Sequence, residues 1–286
     1  MFAITGITGQ VGSQLAGRLL EAGMPVRAVV RNAAKGEAWR ARGCEVALAE
    51  MHDAVALTEA FCGATAVFVL LPPVFDPSPH FDETRRHIAA LAEALSAARP
   101  GRVVALSTIG ARAAEPNLLS KLGGMEEVLG RLNLPVTFLR AAWFIENLAW
   151  DVALARDTGR MASFLQPLDR PVAMVATTDV AETAAELLQQ SWEGQRIVDL
   201  EGPRRLAPLD LAAALAQALG REVRAEAVPR SNWEARFRRD GMRNPGPRMR
   251  MLDGFNEGWI AFDAATSRKG CTTLEQVVHK LVGAVG

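Results

Sequence analysis

The stretch Phe2-Ala-Ile-Thr-Gly-Ile-Thr-Gly-Gln-Val-Gly12 decides the fold. A β-rich run leads into three glycines, and a helical pattern begins directly after them. Gly6 permits a tight turn, Gly9 lets a pyrophosphate approach the backbone, and Gly12 lets the helix pack closely on the strand. A strand, a glycine turn and a helix in this order predict a dinucleotide-binding site.

Short apolar runs alternate with helical patterns from residue 2 to about residue 142. Runs such as 26–30 and 66–71 are almost entirely apolar, which is typical of parallel strands covered on both faces. This order predicts an α/β protein with a doubly wound parallel-sheet Rossmann fold. The pattern is less regular beyond Ala142, and Asn244-Pro-Gly-Pro247 predicts a break. We therefore assign residues 1–150 to a cofactor-binding Rossmann domain. Residues 151–286 are assigned mainly to a small, discontinuous C-terminal α+β cap, with some elements packing back on the Rossmann domain.

The end of the second strand indicates which dinucleotide binds. An NAD site places a carboxylate there for the ribose 2′-hydroxyl, whereas this chain has Arg31 and Lys35, with no acid before Glu37. Both cations are suited to pair with a 2′-phosphate, so NADP (as NADPH) is favoured. The alternative is that both are solvated surface charges.

Further cofactor contacts follow from the carboxyl ends of the other strands. They are expected at the pyrophosphate, beside the adenine and beneath the ribose. The predicted residues are Thr8, Gln10 and Val11 at the phosphates, Met51 and His52 at the adenine, and Leu70, Leu71 and Pro72 beneath the ribose. For His52 an exposed turn histidine is the alternative.

Composition and charge exclude several classes of protein. The chain of 286 residues is 49% hydrophobic and 22% charged, as an ordinary globular protein is, and its formal net charge is zero. That balance gives no global attraction to nucleic acid or to an anionic membrane and leaves only a local charged patch open, and the apolar run 64–71 is too short to span a bilayer. Three scattered cysteines and four unpaired histidines predict neither a disulfide framework nor a metal site. We expect a cytoplasmic protein whose partner is a small molecule, and its oligomeric state is left open.

These motifs resemble those of the NmrA-like branch of the atypical short-chain dehydrogenases. The resemblance covers essentially the whole chain and rests on residues 4–12, 27–32, 104–110 and 252–260. Its most specific part is Leu134-Pro-Val-Thr-Phe-Leu-Arg-Ala-Ala-Trp-Phe-Ile-Glu-Asn147. It implies that Ala141, Ala142, Trp143 and Phe144 floor the nicotinamide site and open the substrate pocket. The family contains both NADPH-dependent reductases and non-catalytic redox sensors, so both functions are implied.

The chain contains no tyrosine, so the Tyr-x-x-x-Lys acid pair of ordinary short-chain dehydrogenases cannot exist here. Lys121 is the nearest cation, and it is a candidate ribose contact or proton donor, with a solvated lysine as the alternative. Ser107 and Thr108 are hydroxyls at the carboxyl end of a strand and candidate cofactor contacts. Ser107 either orients a carbonyl or the nicotinamide amide, or merely ends the strand.

The missing acid constrains the hydride acceptor. A reduced ketone is an alkoxide, which needs a positioned acid at neutral pH. A reduced quinone is a phenolate-like anion with a pKa of about 10, which can take its proton from water. An iminium or cationic dye needs no proton. The first hypothesis is therefore an NADPH-dependent oxidoreductase that passes hydride directly to a flat conjugated acceptor such as a quinone, imine, iminium or dye. The alternative is a non-catalytic NADP(H) sensor that acts through a protein partner.

Aromatic residues recur after the last Rossmann strand and in the cap. Flat apolar walls suit such an acceptor, although aromatic residues are more often core, and we expect half of these to be buried structurally. The candidate substrate residues are Trp143, Phe144, Trp150, Phe164, Trp233 and Phe255, with Asn147 and Asn256 as polar groups.

Residues 221–250 hold nine arginines and four acids. Such an excess is typical of a solvated helical face. The alternatives are a site for an anionic substrate and a contact with a partner protein. Nucleic acid is not expected, because the segment contains no recognised binding motif.

Overall fold

The computed structural model describes residues 1–284. Its first half alternates strands with helices: β1 (Phe2–Ile4), α1 (Gln10–Glu21), β2 (Val26–Val30), α2 (Ala33–Ala41), β3 (Glu45–Leu48), α3 (Ala54–Phe61), β4 (Ala66–Val69), α4 (Asp82–Ala98), β5 (Val103–Thr108), α5 (Ser120–Leu129) and β6 (Val136–Ala141). Side chains cap two of these helices. Asn32 accepts a hydrogen bond from the amide of Ala34, and Asp53 accepts one from the amide of Ala56. These two hydrogen bonds fix the residues at which α2 and α3 begin.

The second half is less regular. It contains β7 (Trp143–Phe144), a 3₁₀ helix (Ile145–Leu148), α6 (Ala149–Thr158), β8 (Arg160–Ser163), β9 (Met174–Val175), α7 (Thr177–Gln189), β10 (Gln195–Glu201), α8 (Pro208–Leu219), β11 (Arg224–Ala227), a second 3₁₀ helix (Arg230–Asn232), α9 (Trp233–Arg239), α10 (Gly246–Glu257), β12 (Arg268–Lys269) and α11 (Leu274–Ala284). Within residues 1–284, no helix has the length and apolar character needed to cross a membrane.

One eight-stranded sheet organises the molecule, with the order β12-β10-β6-β5-β4-β1-β2-β3 and every neighbouring pair parallel. Its central strands are buried on both faces because helices cover each side. The predicted doubly wound fold is confirmed. The strand order reverses between β1 and β4, and in open α/β sheets the crevice at this point holds the ligand.

Elements from beyond residue 150 complete the sheet and its helical layers. β10 pairs with β6, β12 pairs with β10, and α7 packs on α1. Gln14 of α1 donates to the hydroxyl of Thr177 at 3.1 Å, and Arg18 pairs with Glu182 at 3.2 Å. Two small parallel sheets, β8 with β11 and β7 with β9, lie outside the main sheet. The domain boundary at residue 150 stays a prediction.

Candidate functional site

The glycine turn between β1 and α1 is too crowded for side chains. Gly6 has a φ of +64°, which favours glycine, and it accepts a hydrogen bond from the amide of Gly9 at 2.9 Å. A Cβ atom on Gly12 would lie 2.7 Å from the carbonyl carbon of Gly6 and 2.9 Å from Cα of Ile7, and closer still to the carbonyl oxygen of Gly6. The turn therefore keeps its shape only with glycine at this position.

The amino end of α1 is open to a ligand. Thr8, Gly9 and Gln10 are exposed, whereas the side chain of Val11 is buried in the core. The first amides of a helix have no intrahelical acceptor. The predicted phosphate contacts at Thr8, Gln10 and Val11 therefore depend on the backbone, which attracts anions at a helix N-terminus.

A cleft of about 480 Å³ begins at this turn and runs over the ends of β2, β3 and β4. It brings together eight of the predicted cofactor residues, namely Gly6, Thr8, Gly9, Arg31, Lys35, Met51, Leu70 and Pro72. Pro73 lines the cleft next to Pro72, and sequence reasoning missed seven further lining residues: Thr5, Val29, Val30, Asn32, Ala49, Glu50 and Leu57. Most of these residues directly precede or follow a predicted cofactor residue in the sequence. Their position at the ends of strands is therefore a signal from which they could have been predicted.

The charges of this cleft suit a phosphate at the end of β2. Arg31 and Lys35 are exposed there, and neither has an ion-pair partner among residues 1–284. Glu50 also lines the cleft, after β3, and its carboxylate lies 3.5 Å from Nδ1 of His52. His52 itself is exposed and does not line the cleft, and Leu71 is buried beside it.

A buried charge network stands at the carboxyl ends of β5 and β6. The hydroxyl of Ser107 donates to Glu126 at 2.6 Å, and Arg140 donates to the same carboxylate at 2.8 and 2.5 Å. These hydrogen bonds raise the pKa of Arg140. On the other side of Arg140, burial raises the pKa of Asp199, which lies 3.9 Å away. The Ser107 proton is thus committed to Glu126, and Ser107 offers a ligand only its oxygen lone pairs.

Lys121, in the first turn of α5, is a half-buried cation. Its Nζ donates to the carbonyl oxygen of Val74 at 2.6 Å. Burial lowers the pKa of Lys121 to about 8, although the nearby carboxylate of Glu83 opposes that shift. A lysine with this pKa exchanges its proton readily near neutral pH.

Residues 70–81, the β4–α4 loop, contact three other parts of the chain in succession. Val74 accepts from Lys121, and Phe75 packs edge-to-face on Trp150 with 6.0 Å between ring centroids. Asp76 accepts from the backbone amides of Arg243 and Asn244 at 3.0 and 2.7 Å. These two hydrogen bonds hold the pKa of Asp76 below its usual value. The loop therefore connects the end of β4 to α5, to α6 and to the segment before α10.

The aromatic candidates separate into three groups. Trp143 packs edge-to-face on Phe255, at 5.3 Å. Trp150 lies at the surface with Phe75; their exposed fractions are 64% and 50%. Phe164 contacts Trp233, which is fully buried and whose indole donates to the carbonyl of Val228.

The remaining candidates have varied surroundings. Ala141, Ala142 and Phe255 are buried, whereas Thr108, Phe144 and Asn147 are half-buried. Asn256 uses both ends of its amide to hold backbone: it accepts from the amide of Gln166 at 2.8 Å and donates to the carbonyl of Phe164 at 2.9 Å. Their roles toward a cofactor or substrate stay predictions.

One cluster of metal-ligating residue types lies away from these groups. Ligand atoms of Asp179, Glu182 and Cys271 approach within 4.8 Å of one another. Asp179 accepts hydrogen bonds from the amide and the hydroxyl of Thr272, and Glu182 pairs with Arg18. The two carboxylates are therefore engaged in holding α1, α7 and the segment before α11.

Comparison with known proteins agrees with this geometry. A family described as NAD(P)H-binding matches residues 6–191. The chain is 30% identical to an NAD(P)H azoreductase of Xenophilus azovorans over 80% of its own length and 77% of the relative's. It is 32% identical to a (4-alkanoyl-5-oxo-2,5-dihydrofuran-3-yl)methyl phosphate reductase of Streptomyces griseus, with 79% and 76% covered. The crystal structure of an NADPH-dependent quinone oxidoreductase of Escherichia coli in complex with NADPH has a TM-score of 0.83 and 25% identity, with 98% of this chain and 99% of that chain covered.

Proposed function

Because this chain belongs to the NAD(P)H-binding family, which confirms the resemblance predicted from its motifs, we propose that it is an NADPH-dependent reductase of flat conjugated acceptors. The observation that carries the proposal is the cleft at the glycine turn. An open helix N-terminus lines this cleft together with two cations that have no ion-pair partner within the described residues 1–284. A pyrophosphate and a ribose 2′-phosphate are the anions that this arrangement would bind.

The residues fit the dinucleotide. A Cβ on Gly12 would fill the space that the turn needs, and the cleft continues past Met51, where the adenine would lie. When bound, the reduced nicotinamide supplies the hydride. Glu50 lines the same cleft and would offer a carboxylate to the adenine amino group, while Arg31 and Lys35 would bind the 2′-phosphate.

The acceptor class follows from the groups available near the end of β4. The chain has no tyrosine, and the hydroxyl proton of Ser107 is committed to a buried carboxylate. Lys121 holds a proton that it can release near pH 8, but its Nζ is directed at the backbone of the β4–α4 loop. An acceptor whose reduced form needs no strong acid therefore suits the site. The names of the azoreductase and the quinone oxidoreductase support this class.

The test is NADPH consumption with a quinone, an azo dye, a triarylmethane dye and an unactivated ketone, with NADH in parallel. We expect turnover of the conjugated acceptors and not of the ketone, with NADPH preferred. Arg31→Ala should lower kcat/KM for NADPH about tenfold or more, since a charge-assisted hydrogen bond contributes about 1.5–3 kcal/mol. The kcat/KM of Arg31→Ala for NADH should stay within about twofold of the wild-type value. Arg40→Ala is the matched control, because Arg40 is an exposed arginine of α2 that does not line the cleft.

Three results would contradict the proposal. Rapid reduction of the ketone would show that a strong acid operates in the site. Equal losses of kcat/KM with NADPH and with NADH in Arg31→Ala would show that Arg31 does not contact the 2′-phosphate. Tight NADPH binding without turnover of any acceptor would favour the sensor.

A further inference from the structure

The structure divides the nine arginines of residues 221–250 into two kinds. Five form ion pairs with carboxylates, namely Arg224, Arg230, Arg238, Arg243 and Arg250, and Arg221 donates to a backbone carbonyl. Arg236, Arg239 and Arg248 have no ion-pair partner among the residues that the structure describes. Arg239 is exposed, whereas Arg236 and Arg248 are half-buried. Six of the nine arginines are thus held by a carboxylate or a backbone carbonyl, and two of the other three are half-buried.

These two half-buried guanidinium groups lie on one pair of stacked rings. Phe164 and Phe237 stack at 4.9 Å, with 27° between their planes. The guanidinium carbon of Arg236 lies 5.2 Å from the centre of the Phe164 ring, and that of Arg248 lies 4.7 Å from the centre of the Phe237 ring. The structure therefore places two cations, whose N–H donors are largely unused, over a stacked aromatic pair in which Phe237 is buried.

We propose that Arg236 and Arg248 bind an oxyanion substituent of the acceptor, a carboxylate, sulfonate or phosphate carried by its ring system. This inference rests on the proposed function, because it names the class of acceptor for the same site. Arginine presents planar, paired donors that match such groups. An anion here would also balance the charge of Arg248, whereas the charge of Arg236 already interacts with the carboxylate of Asp151.

Burial makes the bound anion favourable. Desolvation lowers the pKa of Arg248, and Asp240 offsets that effect only from a distance. The hydrogen bond that Arg248 makes from its guanidinium runs to the sulfur of Met242, at 3.8 Å, which is a weak acceptor. A half-buried cation without a close carboxylate is costly, and a ligand oxyanion would remove that cost.

The position of the pair agrees with a role in acceptor binding. Phe75 and Asp76, in the loop after β4, contact Trp150 and the segment just before α10. Arg236 and Arg248 stand on α9 and α10, on either side of that segment. Asp151, the neighbour of Trp150, is close enough to Arg236 for their charges to interact. Asp151 and the segment before α10 thus link the helices that carry the two arginines to the loop after β4, and that loop borders the crevice of a doubly wound sheet.

The experiment uses neutral and anionic ligands of nearly the same shape. Binding of naphthalene-2-sulfonate and naphthalene-2-sulfonamide to the full-length protein is measured by calorimetry, with and without NADP⁺. We expect the sulfonate to bind at least tenfold more tightly to the wild type. Arg236→Gln and Arg248→Gln should each reduce this ratio to about twofold or less, whereas the matched control Arg239→Gln should keep it. Naphthalene-2-carboxylate and 2-naphthyl phosphate then identify which oxyanion binds best.

Turnover gives a second measurement. The ratio of kcat/KM for 1,2-naphthoquinone-4-sulfonate to that for 1,2-naphthoquinone should fall at least tenfold in Arg236→Gln, with the uncharged quinone little affected. Equal binding of sulfonate and sulfonamide to the wild type would overturn the inference, as would an equal loss in Arg239→Gln. If no quinone is reduced by the wild type, the proposed function fails, and the binding ratio alone decides the role of the arginines. If Arg248→Gln does not fold, Arg236→Gln and Arg248→Lys decide it.

Discussion

Replacing Gly12 by alanine should damage the glycine turn, whereas the same change at Gly17 of the same helix should not. A Cβ at position 12 meets only backbone atoms of Gly6 and Ile7, at distances that real Cβ atoms do not adopt. Overpacking costs about 1–3 kcal/mol, and backbone obstacles place this site at the upper end. Since alanine gains about 1 kcal/mol over glycine in a helix, the net loss should be about 2 kcal/mol. For a chain of 286 residues that lowers Tm by about 3–4 °C.

The Gly17 variant makes the comparison sharp. Gly17 is buried in α1, but its added Cβ would meet only the end of the flexible Arg42 side chain, at 3.4 Å. Gly17→Ala should therefore be neutral or stabilising by up to about 1 kcal/mol. Thermal unfolding gives the two stabilities, and fluorescence titration gives the Kd for NADPH. We expect Gly12→Ala to weaken NADPH binding at least tenfold, which is about 1.4 kcal/mol, and Gly17→Ala to leave it unchanged.

Equal stabilities of the two variants would show that the turn relaxes without cost. Full NADPH affinity in a destabilised Gly12→Ala protein would show that the shape of the turn does not determine cofactor binding. Either result would refute the reasoning from the close approach of α1 to the turn.

Three further perturbations test single groups. The pKa of Asp151 is raised from 3.8 to about 6 in the folded protein. Folding therefore takes up a proton, and the free energy of unfolding falls as pH rises from about 4 to 6. Urea unfolding should show that Asp151→Asn lacks this fall and is more stable than the wild type by at most about 3 kcal/mol at pH 8. The pKa of Lys121 is lowered from 10.5 to about 8, so wild-type stability should rise between about pH 8 and pH 10, and Lys121→Met should lack that rise in the same measurement. Trp150 is exposed and touches Phe75, so Trp150→Ala should change the free energy of unfolding by no more than about 0.5 kcal/mol. In steady-state kinetics the same variant should have a KM for aromatic acceptors that is raised up to about tenfold.

The parallel sheet could be predicted because its signals are local. Runs such as Val26–Val30 and Ala66–Val69 are apolar because both faces of a central strand are covered. The glycine turn is equally local, since its three glycines lie within seven residues. The strand β12 could not be predicted, because it has two exposed residues and exists only through its pairing with β10.

The break predicted at Asn244-Pro-Gly-Pro247 is where α10 begins, at Gly246. Proline stops a helix from within, but in the first turn its missing amide costs nothing. The same residues therefore end one segment and start the next. The position of the break could be predicted from the sequence, whereas the helix that follows it was missed.

Most of the candidate site depends on partners that are distant in sequence. Asp76 meets Asn244 across 168 residues, and Phe164 stacks on Phe237. Asn256 is a polar residue beside aromatics in the sequence, yet its amide is used to hold backbone. Composition and spacing carry no information on such pairings, so the arginine excess could not be divided into paired and unpaired groups before the structure.

The packing of α7 on α1 has a consequence for synthesis. Gln14 and Arg18 of α1 contact Thr177 and Glu182 of α7, but Glu182 is made 164 residues after Arg18. At about 5–20 residues per second on the ribosome, the nascent chain waits roughly 10–30 s for that cover. During this interval the side of α1 that carries Gln14 and Arg18 has no contact with α7. The growing polypeptide therefore carries the glycine turn on a helix that α7 covers only late in synthesis.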